Sequence, residues 1–479
     1  MATHIDFQQD PAVQKKRWLI LFAVGLFTFM ATLDGSIVNI ALPTMSKELQ
    51  VPTNQITWVV SIYLMTICTC LPLFGKIGDS VGKIKIFKLG TFIFVIGSFL
   101  CGVPHSLTTL LVGRVIQALG ASMTMATNIG IITEVFPFHE RGRALGLIGT
   151  FVSLGSITGP GIGGVLVANM GWSYIFWINV PVGLLAMVLG KYILPQDFSK
   201  SGVAIDWLGF ISFASFLLPF FASIFLGQEI GFLQPLILGL LAISVLSFVL
   251  FYYREKRVAQ PLIDFKLFNN QVLTAGLVTA MLVFAANFFM NVVLPFFLQN
   301  AHGYDASFAG LLMMVFPLVM VVTAPVSGYF TDKYGPRVLT IIGLAIMTLA
   351  QLSFAFIDLK TPLWWFIVSI GLLGLGNGIF QSPNNTIVMS SVSLDQLGVV
   401  GSLNGLFRNI GMVIGIALST TLLYGSMSHR AGYPVTTYLE DHPNYFIYGM
   451  HVVYTGAFIL CSLAMLLTIY SFKHNRHAK

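Results

Sequence analysis

The sequence predicts an all-α, polytopic membrane protein: two bundles of six spanning helices, with two further helices inserted between them. Three observations carry this. Of the 479 residues, 56% are hydrophobic and only 9% charged, where soluble domains run at about 25% charged. Fourteen apolar runs reach the ~20 residues that a helix needs to cross a hydrocarbon core. The chain also echoes itself. GKIGDSVGK (Gly75 to Lys83) and GYFTDKYGPR (Gly328 to Arg337) both read G-x-x-x-D-x-x-G followed by basic residues, with Asp79 and Asp332 at an offset of 253.

The runs lie at about 18–42, 56–75, 86–104, 107–133, 144–168, 172–194, 207–227, 235–253, 271–298, 308–330, 338–357, 363–385, 402–424 and 450–472. The first is too long for a signal-peptide core and reads as a retained span. A second echo pairs Gly155-x-x-x-Gly159 in the fifth run with Gly411-x-x-x-Gly415 in the thirteenth, at an offset of 256. Two echoes at nearly one offset divide the chain into a first half at 1–195, an insert at 196–265 and a second half at 266–479. Parallel repeats with a path at their interface are the architecture of a secondary transporter.

Twenty of the 25 lysines and arginines fall in segments on the N-terminal side of the membrane, and three (Lys47, Lys360 and Arg430) fall on the other. The positive-inside rule therefore puts both termini in the cytoplasm. The net charge of +7 is spread over these short loops, so it does not point to nucleic acid. Cys68, Cys70, Cys101 and Cys461 all lie in apolar runs. They offer neither a disulfide framework nor a metal-ligand spacing, and neither metal nor cofactor is expected. The chain has no GxxxxGK[ST] phosphate loop, which leaves an ion gradient as the energy source.

The residue that most needs explaining is Asp34, within LDGSIVNIALP (Leu33 to Pro43). A carboxylate inside a span costs at least ~2.5–3.5 kcal/mol on insertion scales. Asp34 lies ~16 residues, or ~24 Å, from the inner end of the first run, and Arg114 lies ~7 residues, or ~10 Å, from the outer end of the fourth. In a core of ~30 Å the two sit at similar depth. Arg114 favours an ionised Asp34, while desolvation favours a protonated one. The pair is either a static neutralisation of two buried charges or a site that exchanges protons. Gln117, one turn from Arg114, is placed to bond either of them or a substrate.

The fifth run, GSITGPGIGG, sets Gly155, Gly159 and Gly163 in a stripe for close packing, and Pro160 removes a helix N–H. In the loops, Gly75, Asp79, Gly82 and Lys83, with Gly328, Asp332, Gly335 and Arg337, read as paired cytoplasmic latches. The second half has no deep acid. It offers Phe284, Asn287, Phe288 and Asn291 in the ninth run, Gln381 and Asn385 in the twelfth, and Arg408 in the thirteenth. With Asn39 and Gln117, these are the expected lining of a cavity for an amphipathic guest. Glu134 falls at the cytoplasmic end of the fourth run.

Taken in order, LDGSIVNIALP, GKIGDSVGK, GRVIQALGAS, GSITGPGIGG and WSYIFWINVPVG (Trp172 to Gly183) resemble the 14-span drug:proton antiporter family of the major facilitator superfamily. The resemblance implies proton coupling at Asp34 and Arg114, an antiporter motif over Gly155 to Gly164, and a gating loop at Gly75, Asp79 and Gly82. Gly35 and Ser80 depart from the family's usual residues. The tenth run lacks the acid that some members use for divalent organic cations. The expectation is a non-enzymatic, proton-driven multidrug efflux antiporter of the cell membrane, acting as a monomer. Its partners would be small hydrophobic compounds, cationic ones included, together with protons and membrane lipids. The rivals are a translocator of lipid or cell-envelope precursors on the same fold, and a non-transporting receptor.

Overall fold

The structure is a computed structural model that describes residues 7–103, 106–197, 205–259, 261–392 and 397–474. The side chain of Asp332, expected in the second latch, lies outside the described residues, as do several between 138 and 157. No strand occurs among the described residues. The first six helices are α1 (Pro11–Glu48), α2 (Thr53–Val81), α3 (Lys83–Cys101), α4 (Leu107–Val135), α5 (Phe138–Asn169) and α6 (Tyr174–Ile193). The insert is α7 (Trp207–Ile230) and α8 (Pro235–Glu255). The last six are α9 (Gln271–Ala301), α10 (Ala306–Met313 and Val315–Tyr334), α11 (Pro336–Phe354), α12 (Leu363–Ser390), α13 (Leu397–Ala431) and α14 (Pro443–His474). Thirteen of these are long and apolar enough to cross a membrane among the described residues. The 32-residue α5 completes the fourteen.

The helices outrun the apolar stretches that announce them. α1 spans 11–48 where the sequence predicts 18–42. Its first turn is capped by Asp10, whose carboxylate accepts from the N–H groups of Ala12 (2.8 Å) and Val13 (3.4 Å). Hydropathy marks only the hydrocarbon layer, whereas a helix continues into the interface wherever its ends are satisfied. For the same reason the outer segment expected at 425–449 contracts to 432–442.

Both halves use one packing plan. α1 packs on α5, and α2 and α3 pack on α4; correspondingly α9 packs on α13, and α10 and α11 on α12. The close approaches repeat too. A Cβ on Gly90 of α3 would sit 2.8 Å from the carbonyl oxygen of Gly120, and one on Gly343 of α11 would sit 2.8 Å from that of Gly376. The loop glycines also agree: Gly82 (φ 121°) and Gly335 (φ 82°) hold left-handed backbone at equivalent corners.

The halves meet along two seams, α5 with α10 and α2 with α13. Among the described residues, hydrogen bonds join the halves at the predicted outer end. Asn54 N–H donates to Thr436 O (3.3 Å), Gln299 Nε2 donates to Ile40 O (2.9 Å), and the hydroxyls of Thr53 and Thr437 are 3.2 Å apart. Toward the inner end no hydrogen bond or ion pair joins the halves among the described residues. A Cβ on Gly75 of α2 or Gly405 of α13 would meet nothing within 4 Å. Among the described residues, the hydrogen bonds between the halves thus gather at the predicted outer end. The insert covers the α2–α13 seam: the Trp58 and Phe225 rings lie 5.0 Å apart, and Gln228 Nε2 donates to Ala417 O (3.0 Å).

Candidate functional site

Asp34 is fully enclosed within the first bundle and is held by side chains from α4 and α6. Its Oδ2 accepts from Arg114 Nη1 of α4 at 2.7 Å. Its Oδ1 accepts from Gln117 Nε2 of α4 at 2.8 Å and from Asn179 Nδ2 of α6 at 2.9 Å. Arg114 is held in turn. Its Nε donates to Val59 O of α2 (2.9 Å), its Nη1 also donates to Gln117 Oε1 (2.6 Å), and its guanidinium lies 4.0 Å from the centroid of the Tyr63 ring. Gln117 completes the set by donating to Ser98 Oγ of α3 (2.8 Å).

Two charges have been moved out of water here, and the geometry compensates most of each, leaving Arg114 Nη2 buried without a hydrogen-bond partner among the described residues. The carboxylate accepts three hydrogen bonds, the guanidinium donates three and faces an aromatic ring, and attraction in a low-dielectric interior is strong. Protonating Asp34 in place would leave Arg114 enclosed and without its counter-charge. Removing one partner of such a pair costs about 3–5 kcal/mol, so the proton and the packing must change together.

α5 carries this core to the other half. Its stripe of Gly155, Gly159 and Gly163 lies on α1. A Cβ on Gly155 would sit 2.6 Å from Phe29 O, and Ser36 Oγ donates to Gly155 O at 3.2 Å. The opposite side of α5 meets α10, where a Cβ on Gly164 would sit 2.5 Å from Ala306 O and one on Gly310 would strike the carbonyl of Pro160. A single helix therefore touches both Asp34's helix and the second bundle.

The first latch is tied by charge. Lys83 Nζ lies 3.0 Å from Asp79 Oδ1 and 2.7 Å from Glu134 Oε1. Asp79 does not cap α3. That role falls to Asp197, just after α6, which accepts from the N–H groups of Ile84 (2.9 Å) and Lys85 (2.6 Å). In the second latch the Arg337 guanidinium stacks on Phe472 at 5.5 Å. A Cβ on Gly75 would meet no atom within 4 Å, so this latch glycine is not pressed against a neighbouring helix. Gly328 meets only the Ser382 hydroxyl, at 3.4 Å.

The expected cavity residues divide. Gln117 belongs to the Asp34 network, and Asn39 is enclosed, donating to Gly35 O at 3.2 Å. Neither lines open space. Asn287 is also buried, its Nδ2 reaching Asn377 Oδ1 at 3.3 Å. Phe284, Phe288, Asn291, Gln381, Asn385 and Arg408 remain partly accessible. Asn179, Ser98 and Tyr63 are contacts that sequence reasoning missed. Asn179 had a signal, as the lone amide in the aromatic run Trp172 to Gly183. Ser98 and Tyr63 had none beyond being polar.

The sequence pattern of the Major Facilitator Superfamily matches residues 24–209 and again 207–416. The chain is 34% identical over 457 residues to the riboflavin transporter RibZ of Clostridioides difficile, covering 95% of this chain and 98% of that one. It is 29% identical to the multidrug transporter protein MdtP of Bacillus subtilis (90% and 80% covered). It is 30% identical to the tetracenomycin C resistance and export protein of Streptomyces glaucescens (87% and 77% covered). These relatives are transporters, and none is named as an enzyme. Two matching six-helix bundles of long apolar helices and a family pattern that recurs in each half lead to one conclusion: the chain belongs to the Major Facilitator Superfamily and is a multi-pass membrane transporter.

Proposed function

We propose that the protein is a proton-coupled exporter of small hydrophobic compounds, acting by alternating access in the cell membrane with both termini cytoplasmic. The observation that carries the proposal is the enclosed Asp34–Arg114–Gln117–Asn179 network. It is the one place where a deep acid exists, and its protonation is inseparable from a change in packing. In this reading the seam between α2 and α13 opens toward the cytoplasm, where Gly75 and Gly405 have no close neighbour, and a guest enters there. Closing the α2–α13 seam brings the surfaces at Gly75 and Gly405 together, while the outer contacts at Thr53, Asn54 and Gln299 release. The guest then leaves outward. A proton reaching Asp34 frees Arg114, loosens α1 against α4 and α6, and returns the bundles. α5, packed on α1 and α10, transmits the change.

Transport of a planar vitamin-like heterocycle is the second reading. It is favoured by the relative named as a riboflavin transporter, whose length this chain covers almost entirely. Purified protein in proteoliposomes under an imposed pH gradient tests both. The panel comprises riboflavin, hydrophobic antibiotics, cationic dyes and labelled lipids. Gradient-driven movement of a dye, antibiotic or vitamin supports transport of small molecules; movement of lipid alone contradicts it.

A further inference from the structure

The second bundle holds a cation that the Asp34 network does not use. Arg408 of α13 is half-buried, and its guanidinium lies 4.6 Å from the centroid of the Phe284 ring on α9. Among the described residues it has no carboxylate partner. Arg114, by contrast, has a carboxylate, an amide and a carbonyl. One turn before Arg408 stands Asn404, 4% exposed. Its Nδ2 donates to Asn385 Oδ1 at 3.0 Å, and its Oδ1 has no partner. Gly405, between them, faces open space. On α9, Phe284, Phe288 and Asn291 follow at helical spacing, each partly accessible. A partly accessible planar cation thus lies against an aromatic face, with a buried, unpaired amide oxygen one turn away, and the chain's deep acid is sealed away in the other bundle.

We propose that Arg408, Phe284 and Asn404 form the substrate-recognition subsite, and that it selects planar aromatic guests with an anionic or carbonyl-rich edge over lipophilic cations. This deepens the transport reading above and rests on it. An unpaired cation at low dielectric is penalised, and a guest bearing negative charge restores its missing partner. The guanidinium fork matches carboxylate and paired carbonyl oxygens, while its face and the Phe284 ring stack on a flat guest. The buried Asn404 Oδ1 lacks a donor, which a guest's N–H supplies once the guest is seated beside Arg408. A cationic guest meets like charge at Arg408 and cannot supply its missing counter-charge. The expectation of cationic substrates came with the family resemblance, and the charge of Asp34 that could attract them is already neutralised by Arg114.

The test is equilibrium binding to the purified full-length chain in detergent, read by fluorescence anisotropy. The probes are two dyes with one ring system and opposite charge, fluorescein and rhodamine 6G. Fluorescein is expected to bind about tenfold more tightly. Arg408→Gln should erase that ratio. Asn404→Asp, which sets a carboxylate one turn from the retained arginine, should reverse it, and this variant carries the test alone if Arg408→Gln does not fold. Equal or tighter binding of rhodamine 6G to the wild type, no binding of fluorescein, or a ratio unchanged in Asn404→Asp overturns the subsite. Binding needs no proton gradient. Charge-selective binding without gradient-driven transport would therefore sink the transport reading and leave the subsite standing.

Discussion

A carboxylate with three donors has little freedom to change on its own. Asp34 accepts from Arg114, Gln117 and Asn179, which sit on two helices other than its own. If the pair is energetically coupled, a double-mutant cycle will register it. Asp34→Asn and Arg114→Gln should each destabilise the fold, and the double variant should lose at least about 1 kcal/mol less than the sum of the two. Unfolding in mixed micelles measures this, and strict additivity would mean the two side chains do not act as a unit. The pair was legible in the sequence because charges are rare in apolar runs and because depth follows from residue count. Asn179, Ser98 and Tyr63 were not. Neutral polar residues are common in spans, and depth alone does not say which way a side chain faces around the helix axis.

Helices transmit what residues do, and the glycines on them separate two kinds of surface. Gly159 on α5 is pressed against Ser36 of α1, whereas Gly75 on α2 faces open space. Gly159→Leu should therefore lower thermal stability by several degrees or prevent folding, since overpacking a tight contact costs ~1–3 kcal/mol. Gly75→Leu should leave the melting temperature nearly unchanged and yet stop transport, because the inner seam can no longer close. A thermal shift measured beside proteoliposome transport distinguishes the two. A Gly75→Leu protein that transports at the wild-type rate would argue against seam closure. The spans themselves were readable from apolar runs, but their ends were not, because interfacial turns such as the one capped by Asp10 carry no hydropathy signal. Nor was Asp197 readable as the cap of α3, because the contact spans more than a hundred residues.

At the scale of the whole molecule, two bundles with one packing plan differ in chemistry. The first encloses an acid and its arginine. The second holds partly accessible amides and phenylalanines and an Arg408 that has no carboxylate partner among the described residues. The repeat was visible in the sequence through the paired loops at Asp79 and Asp332, and so was the absence of a deep acid from the second half. The place of the insert was not, because α7 is apolar on all sides and gives no direction. It lies over the α2–α13 seam. The division of labour, with coupling in one bundle and recognition in the other, is tested most directly by one comparison in proteoliposomes. For a compound the wild type moves, Asp34→Asn should abolish accumulation driven by an imposed pH gradient. It should still exchange labelled for unlabelled compound across a membrane without any gradient. Gradient-driven accumulation at the wild-type level in Asp34→Asn would contradict the account.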